Sequence, residues 1–279
     1  MPAADAKDSP TGPDLPIGAR SLLAYFGLTF LLTAPFWVLS AVSGKQLLPG
    51  LPLAALAVIC PAIAALVLSW RFGGVTAAQA LLKRALDFRR VRAKAWWLPI
   101  LLISPAVSAA VFLILRLGGS AVPVPVPQIS LLPTAALFVV FLVCAISEEL
   151  GWSGFALGPL QARLGAVPAG LILGAVWAVW HYPALLQAHR AADWIAWWTL
   201  GTVAMRLIMV WLFNKTGGSV FGAAVFHAVS NLCWQMFPVQ GSWFDPRLNG
   251  LLMGGLALAT VLATTAWTRR RQARATARP

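Results

Sequence analysis

Long apolar stretches constrain this chain more than any other feature. They are uniformly apolar rather than alternating, which favours helices over strands. Each is about 20 residues long, the length at which a helix crosses a hydrocarbon core about 30 Å thick. The eight stretches lie at roughly 21–43, 48–70, 96–117, 131–157, 167–187, 194–213, 219–238 and 249–267. The predicted fold class is therefore all-α, a polytopic membrane protein with about eight transmembrane helices.

Composition agrees with this prediction. The chain is 59% apolar and only 10% charged, which exceeds what a soluble domain of 279 residues can bury. We expect one transmembrane helical domain over residues 20–267, whose polar motifs lie within about 131–235. A polar, disordered leader is expected at residues 1–19, and a basic cytoplasmic tail at 268–279.

The basic residues predict a topology. A net charge of +13 would suit nucleic-acid binding, but the cations cluster between the second and third stretches and after the last one. Positive residues concentrate in cytoplasmic loops, so both termini are predicted to be cytoplasmic. The segment 75–95 mixes apolar and basic residues and predicts an amphipathic helix on the cytoplasmic surface. The expected partner of these loops is anionic lipid, not nucleic acid.

A few polar residues interrupt the apolar stretches. A charged side chain at the bilayer centre costs about 2.5–3.5 kcal/mol on insertion scales, so such residues should face the bundle interior and have a function. Glu148 and Glu149 are the only glutamates in the chain. The complete set is Glu148, Glu149, His181, Arg206, His227 and Asn231.

Helical spacing divides this set. His227 and Asn231 are four residues apart and point from one helix face, as Trp177 and His181 do on another helix. Glu148 has the same spacing to Trp152. Glu149 is rotated by about 100° from Glu148, so the two carboxylates cannot both point at one partner. We expect one glutamate to perform chemistry and the other to hold a neighbouring helix.

Three kinds of site fit these residues. A buried glutamate, helped by histidine, could take a proton from water, while His and Asn donors stabilise an oxyanion. Two histidines and a glutamate are also the ligand set of many hydrolytic zinc centres. Buried Glu and His residues form proton relays in transporters as well.

The motifs resemble those of a known family. Glu148-Glu149-Leu-Gly-Trp-Ser-Gly, Trp177-xxx-His181 and His227-xxx-Asn231 are similar, in this order and on separate predicted spans, to the three motifs of the CPBP family. That family includes the type II CAAX prenyl endopeptidases and the bacterial CAAX protease self-immunity proteins. The resemblance implies an intramembrane endopeptidase with an eight-helix core.

The resemblance also implies roles for individual residues. Glu148 would be the base for the attacking water, with His181 assisting. His227 and Asn231 would polarise the scissile carbonyl and hold the oxyanion, and Glu149 would orient the site. No metal is required for these roles. If zinc were bound, Glu148, His181 and His227 would be its candidate ligands.

Two positions depart from the family pattern. Trp177 replaces a phenylalanine, and Ser153 stands where the first motif has an arginine that would pair with Glu149. Loss of one partner of a buried pair leaves a costly uncompensated charge. We therefore predict that Arg206 pairs with Glu149 from the next but one span. The alternative is that Arg206 extends toward the cytoplasmic end of its helix.

The function expected from the sequence is hydrolysis of a peptide bond in a cytoplasm-facing membrane cavity. The substrate would be a membrane-associated peptide or protein, in CAAX-type or bacterial peptide processing. Glu148 and His227 should both lie about 12–13 Å inside the cytoplasmic end of their helices, and His181 about 20 Å along its own unless a loop over 158–170 dips inward. The alternatives are a catalytically silent chaperone or immunity scaffold, and a proton-coupled transporter.

Overall fold

Each predicted apolar stretch is helical in the structure. The computed structural model describes residues 19–48, 50–123 and 130–276, and only the backbone of residues 266–276 is considered. Residues 1–18 of the predicted leader lie outside the described residues. The first helix begins at Ala19, the last residue of the predicted leader. The backbone of the predicted basic tail continues the last helix as far as Thr276.

Nine α-helices and several shorter elements make up the described part of the chain. The α-helices are α1 Ala19–Ser43, α2 Cys60–Lys83, α3 Trp97–Leu117, α4 Leu131–Glu149, α5 Leu157–Leu164, α6 Ala166–Gln187, α7 Ala192–Lys215, α8 Val220–Met236 and α9 Pro246–Thr276. A π-helical turn, Leu150–Ala156, joins α4 to α5, and 3₁₀ segments cover Leu53–Ile59, Arg84–Leu86, Phe88–Arg90 and Lys94–Trp96. A two-stranded antiparallel ribbon pairs β1 (Gln46–Leu48) with β2 (Leu51–Pro52).

Seven helical segments are long and apolar enough to cross a membrane within the described residues. The remaining predicted span, 219–238, corresponds to α8, which has only 17 residues. At 1.5 Å per residue α8 is about 25 Å long, slightly less than the hydrocarbon core. It contacts α3, α4 and α7, and its residues from Val220 to Val229 are buried except for the half-buried Phe221. The protein is therefore an all-α, multi-pass membrane protein built around a short central helix.

Side-chain contacts between the helices define two faces of the bundle. Arg84, at the end of α2, donates hydrogen bonds to the carbonyl oxygens of Gly154 and Gly218, so these three chain segments lie at one end. We call this end the basic face. The turns at 44–52, 188–191 and 237–245 follow the helices that leave the basic face, and they form what we call the opposite face. Gln187, at the end of α6, donates to the carbonyl oxygen of Trp37 late in α1, consistent with this alternation.

The predicted amphipathic helix is shorter than expected. Gly74 has φ 66° and ψ −167°, which breaks α2, and the helix that follows ends at Lys83 rather than continuing to residue 95. The prediction of a loop over residues 158–170 is also wrong. Those residues belong to α5 and α6, which are separated only by Gly165 at φ 82°.

The turns that follow α2 cap the N-terminus of α8. The Asp87 carboxylate accepts hydrogen bonds from the Ser219 hydroxyl and from the backbone N–H groups of Val220 and Phe221, at 2.9, 3.2 and 3.0 Å. A carboxylate at a helix N-terminus satisfies free N–H groups and complements the helix dipole. Arg84 and Arg90 lie 3.7 and 3.5 Å from the same carboxylate. This surface turn thereby fixes the N-terminus of the helix that contains His227 and Asn231.

Gly151 allows the π-helical turn to approach α1 and α2 closely. A Cβ atom built on Gly151 would lie 2.6 Å from the carbonyl oxygen of Pro61 and would also collide with the Tyr25 hydroxyl. Real Cβ atoms do not approach backbone oxygen so closely, and overpacking of a filled core typically costs about 1–3 kcal/mol. The residue after Glu149 and Leu150 must therefore lack a side chain.

Gly151→Ala should lower the melting temperature of the protein in detergent by several degrees, because Pro61 is backbone and cannot move aside. Gly254→Ala is the matched control, since a Cβ atom on this helical glycine meets nothing within 4 Å. Circular dichroism melts of both variants check the prediction. Equal melting temperatures for the two variants would show that the close approach at Gly151 is not required.

Candidate functional site

The two glutamates are the last two residues of α4, directly before the π-helical turn. Such turns hold an extra residue per turn and occur frequently at functional sites. Both side chains are buried, with Glu148 3% and Glu149 0% exposed. They separate as the helical rotation predicts: Glu148 lines a cavity, whereas Glu149 points into a closed cluster of polar groups.

Glu149 forms a bidentate ion pair with Arg206. Arg206 Nη1 lies 2.8 Å from Oε2 and Nη2 lies 3.1 Å from Oε1, and the arginine is also 0% exposed. The predicted pairing is thus present, and the arginine does not extend to the helix end. A buried carboxylate without this partner would cost several kcal/mol. Arg206 supplies from α7 the positive charge that the first motif lacks.

Ser153 takes part in the same cluster. It stands at the position of the motif arginine and donates a hydrogen bond to Glu149 Oε2. A serine cannot neutralise the carboxylate, but it satisfies one of its lone pairs, a contact that the sequence reasoning did not anticipate. His227 Nδ1 lies 3.2 Å from Glu149 Oε1. One carboxylate therefore connects α4, the π-helical turn, α7 and α8.

Glu148 is held by a tryptophan. Trp177 Nε1–H donates to Glu148 Oε2 at 2.8 Å. The Trp177 ring also packs against the Arg206 guanidinium, whose Cζ lies 4.2 Å from the ring centroid, and against the His227 ring at 5.0 Å. Trp177 thus orients one oxygen of Glu148, whose side chain lines the cavity. A phenylalanine at this position could not donate that hydrogen bond.

The hydrogen bond of His181 determines which of its nitrogens can accept a proton. Its Nδ1 lies 2.8 Å from the Trp177 carbonyl oxygen, which has no hydrogen, so Nδ1 is the donor. Nε2 of the neutral ring is therefore free to accept. Three tryptophan rings hold the imidazole, with centroid distances of 5.3 Å to Trp177, 4.7 Å to Trp180 and 5.4 Å to Trp198.

A cavity of about 520 Å³ brings the predicted catalytic residues together. Glu148, His181, His227 and Asn231 all line it, and most of the remaining lining side chains are apolar. His227 and Asn231 face the same cavity, as their spacing predicts. A mostly apolar cavity with a few convergent polar groups is the usual form of a small-molecule or peptide site.

Trp152 does not line this cavity. Its side chain is fully buried. Because Trp152 lies in the π-helical turn, it is not placed one α-helical turn from Glu148, as its spacing in the sequence predicted. Its ring packs against Tyr25 at 5.6 Å and against Trp180 at 6.0 Å. Trp180 in turn contacts His181. Trp152 therefore supports the site only through Trp180.

The candidate zinc ligands do not form a ligand set. Within the described part of the chain, no three His, Cys, Asp or Glu side chains are grouped so that they could hold a metal ion. Nδ1 of His181 is already bonded to a carbonyl, and Nδ1 of His227 faces Glu149. In this arrangement Glu148, His181 and His227 do not provide the three protein ligands of a catalytic zinc site.

The cavity extends from Glu148 toward the opposite face. Its lining reaches the β1–β2 ribbon at Leu47 and Gly50, the α6–α7 turn at Arg190, and Phe244 before α9. Toward the basic face, Leu150, Ser153, Ser219 and Val220 are buried. The sequence predicted both a cytoplasm-facing cavity and a cytoplasmic location for the basic loops. Those two expectations are incompatible, because the cavity and the basic loops reach different faces.

Several residues of the site were not predicted from the sequence. Trp198 and Trp180 gave no signal, since aromatic residues are common in apolar helices. Asp87, which fixes the start of α8, lies 132 residues from Ser219 in the chain. A single acidic residue in an otherwise basic segment was the one available indication of its role.

Comparisons with known proteins cover the part of the chain that contains these residues. The model of the family described as type II CAAX prenyl endopeptidase, Rce1-like, matches residues 129–233, which contain all the residues of the three motifs. The CAAX prenyl protease 2 of Methanococcus maripaludis is 24% identical to the chain over 232 residues. This alignment covers 77% of the chain and 84% of the relative.

Arg206→Gln should lower the free energy of unfolding by about 3–5 kcal/mol, because it leaves the Glu149 charge buried and unpaired. Glu149→Gln should have a cost of the same order. The double variant should cost clearly less than the sum of the two, because no charge is then left alone. Unfolding in a denaturing detergent series measures all three. Strictly additive costs would contradict the coupling of these two side chains.

Proposed function

Because this chain belongs to the CPBP family of intramembrane proteases, which includes the type II CAAX prenyl endopeptidases, we propose that it hydrolyses peptide bonds with a water molecule activated by Glu148. The proposed substrate is a membrane-associated peptide or protein of the CAAX type. Processing of a bacterial peptide would use the same chemistry. The observation that carries the proposal is the Trp177–Glu148 hydrogen bond at the wall of a cavity that His181, His227 and Asn231 also line.

In the first half of the reaction, Glu148 accepts a proton from water and the water oxygen attacks the scissile carbonyl carbon. The Trp177 hydrogen bond keeps one carboxylate oxygen fixed, so the other faces the water. His181 assists through Nε2, which its Nδ1 hydrogen bond leaves as an acceptor. Correct positioning of the base and the water is a large part of such catalysis.

His227 and Asn231 stabilise the oxyanion that forms on the attacked carbonyl. Nδ1 of His227 faces the Glu149 carboxylate, so Nε2 is the nitrogen left to contact the oxyanion. The Asn231 amide provides a second donor on the same helix face. When the C–N bond breaks, the proton held by Glu148 passes to the leaving nitrogen. Glu149 and Arg206 act by holding His227 and Trp177, not by touching the substrate.

No step of this mechanism requires a metal ion. The hydrogen-bond donors near the oxyanion come from His227 and Asn231, and the base is a carboxylate. We propose that the protein works without zinc, and the grouping of its side chains supports this proposal.

The distribution of basic residues supports a cytoplasmic location for the basic face and both termini. Lys83, Arg89, Arg92 and Lys94 are exposed on this face and suit anionic lipid headgroups, whereas Arg84 is bonded to carbonyl oxygens. We propose this orientation, with lipid rather than nucleic acid as the partner of the basic loops. The cavity then opens toward the non-cytoplasmic side.

Glu148→Gln and His227→Ala should each reduce cleavage of a membrane-associated peptide by at least 100-fold, because each removes a group needed in the transition state. A zinc chelator should leave the wild-type rate unchanged. Cleavage by purified protein in lipid nanodiscs, read by mass spectrometry, is the measurement.

His189→Asn is the matched control for His227→Ala, since His189 is the remaining histidine, does not line the cavity and adopts a positive φ that asparagine tolerates. It should retain full activity. If Glu148→Gln and His227→Ala were fully active at equal protein level, the hydrolase mechanism would be wrong and a non-catalytic scaffold would be favoured. Peptide transport without cleavage would favour the transporter.

Single cysteines test the proposed orientation in a background without Cys60, Cys144 and Cys233. A cysteine replacing Arg89, on the basic face, should react with a membrane-impermeant maleimide only after the membrane is permeabilised. A cysteine replacing Ser242, on the opposite face, should react in intact cells. The reverse pattern would place the cavity mouth in the cytoplasm and the termini outside.

A further inference from the structure

Helix α1 carries buried polar side chains outside the region of the three motifs. Thr29 and Thr33 lie one helical turn apart, and both are 0% exposed. Each hydroxyl donates to the carbonyl oxygen four residues earlier at 2.8 Å, Thr29 to Tyr25 and Thr33 to Thr29. A hydroxyl that donates in this way keeps lone pairs that can accept a further hydrogen bond. The proposed mechanism gives neither threonine a role.

Thr33 accepts a hydrogen bond from an indole on α6. Nε1–H of Trp180 donates to Thr33 Oγ1 at 2.9 Å. Trp180 is only 4% exposed, and a buried indole N–H needs an acceptor within the protein because it cannot donate to bulk water. The Cys60 side chain also faces the Thr33 hydroxyl. The hydroxyl of Thr33 thus joins α1 to the residue that directly precedes His181.

The same hydrogen bond fixes the orientation of the Trp180 ring beside His181. The two rings are perpendicular, with their centroids 4.7 Å apart. Trp180 also packs against Trp152, at a centroid distance of 6.0 Å. Ring contacts alone would also be satisfied by an indole that is turned over. The N–H group is directional, so its bond to Thr33 selects one orientation of the ring.

The His181 ring depends on its neighbours because one hydrogen bond does not fix it. Its Nδ1 donates to the Trp177 carbonyl oxygen at 2.8 Å, and such a bond tolerates a range of ring angles. The rings of Trp177, Trp180 and Trp198 limit that range. Trp180 is the nearest of the three to the imidazole. Its orientation should therefore influence the position of the imidazole most.

We propose that Thr33 is a positioning residue for His181 and acts on it through Trp180. This inference rests on the proposed function, in which His181 assists Glu148 from Nε2. Thr33 itself does not line the cavity, whereas Trp180 and His181 do. If the Thr33 oxygen is removed, the Trp180 N–H loses its acceptor and the ring turns to find another. His181 then loses a fixed wall, and its Nε2 is no longer held toward the water.

A second hydrogen bond keeps α1 against α6 when Thr33 is changed. Gln187 donates to the carbonyl oxygen of Trp37 at 3.0 Å, near the opposite face. This bond uses the main chain of α1, so no substitution of Thr33 removes it. A Thr33 variant should therefore keep the two helices packed and alter the orientation of Trp180.

Four variants separate positioning from packing. Thr33→Val has nearly the shape of threonine but lacks the acceptor, and Thr33→Ser restores the acceptor. Trp180→Phe removes the donor and leaves the contact between Cys60 and Thr33 in place. Thr29→Val is the matched control, because Thr29 is equally buried and also donates to a carbonyl oxygen four residues earlier. The single N–H of Trp180 is bonded to Thr33, so the control leaves that bond intact.

Cleavage of a membrane-associated peptide by these variants in lipid nanodiscs gives the first readout. Thr33→Val and Trp180→Phe should each lower kcat about tenfold and change KM by less than about twofold, because the assisting group is misplaced while the cavity keeps its shape. Thr33→Ser and Thr29→Val should keep the wild-type kcat. The double variant Thr33→Val/Trp180→Phe should be no slower than either single variant, since both changes remove the same bond.

NMR of the histidine nitrogens gives a second readout that needs no activity. The chain has three histidines, so selective ¹⁵N labelling gives few signals, and those absent from His181→Asn belong to His181. Wild-type His181 should show one neutral tautomer with the proton on Nδ1. Thr33→Ser and Thr29→Val should keep this tautomer. In Thr33→Val and Trp180→Phe the two ring nitrogens should shift toward a common value, because the ring then exchanges between tautomers.

Unchanged His181 signals in Thr33→Val would overturn the proposal. Equal losses of kcat in Thr33→Val and Thr29→Val would also overturn it, since the effect would then be one of packing. Additive losses in the double variant would show that Thr33 and Trp180 act separately, with the same conclusion. If Thr33→Val fails to fold, Trp180→Phe decides by the same two readouts.

The two readouts separate this inference from the proposed function. If the wild-type protein cleaves no peptide but the His181 signals respond to Thr33→Val and not to Thr29→Val, the positioning of His181 is supported and the hydrolytic function is not. If Glu148 is required for cleavage but the His181 signals do not respond, the function is supported and the role of Thr33 is wrong.

Discussion

The ion pair between Glu149 and Arg206 is the interaction on which the rest of the site depends. Both side chains are completely removed from solvent, so neither charge is tolerable without the other. The same carboxylate also contacts Ser153 and His227, and the arginine lies over Trp177. Through these contacts the pair determines the orientation of the histidine and the tryptophan that face the cavity. Glu148, the proposed base, is thus positioned by a neighbour to which the proposed mechanism gives no chemical role.

A second constraint comes from the ends of the helices. Asp87 holds the first residues of α8 from a turn that is otherwise basic, and Gly151 lets the π-helical turn reach α1 and α2. Together these two contacts set the positions of the two segments that provide the proposed catalytic groups. Arginines that would be assigned to lipid binding by charge alone, such as Arg84, instead bind backbone carbonyl oxygens of this framework.

The sequence predicted the helices because their apolar patterns are long and uninterrupted. It also predicted the pairing of Glu149 with Arg206, since the free-energy cost of an unpaired buried charge leaves few alternatives. It did not predict the π-helical turn, because an extra residue in a helical turn leaves no periodic signature over seven residues. The face toward which the cavity opens also could not be predicted from the sequence. Lining residues such as Leu47, Arg190 and Phe244 come from three different turns, and only the packed bundle brings them to one place.

The replacement of a nearby motif arginine by Ser153 has a consequence for the biosynthesis of this membrane protein. With the arginine on the same helix, the charge on Glu149 would be balanced within a turn of the nascent chain. Here the compensating cation is synthesised 57 residues later. At a synthesis rate of about 5–20 residues per second, α4 is available for insertion roughly 3–11 seconds before Arg206 exists. During this interval Glu149 lacks the partner that it has in the folded protein, so we expect the final insertion of α4 to be coupled to that of α7.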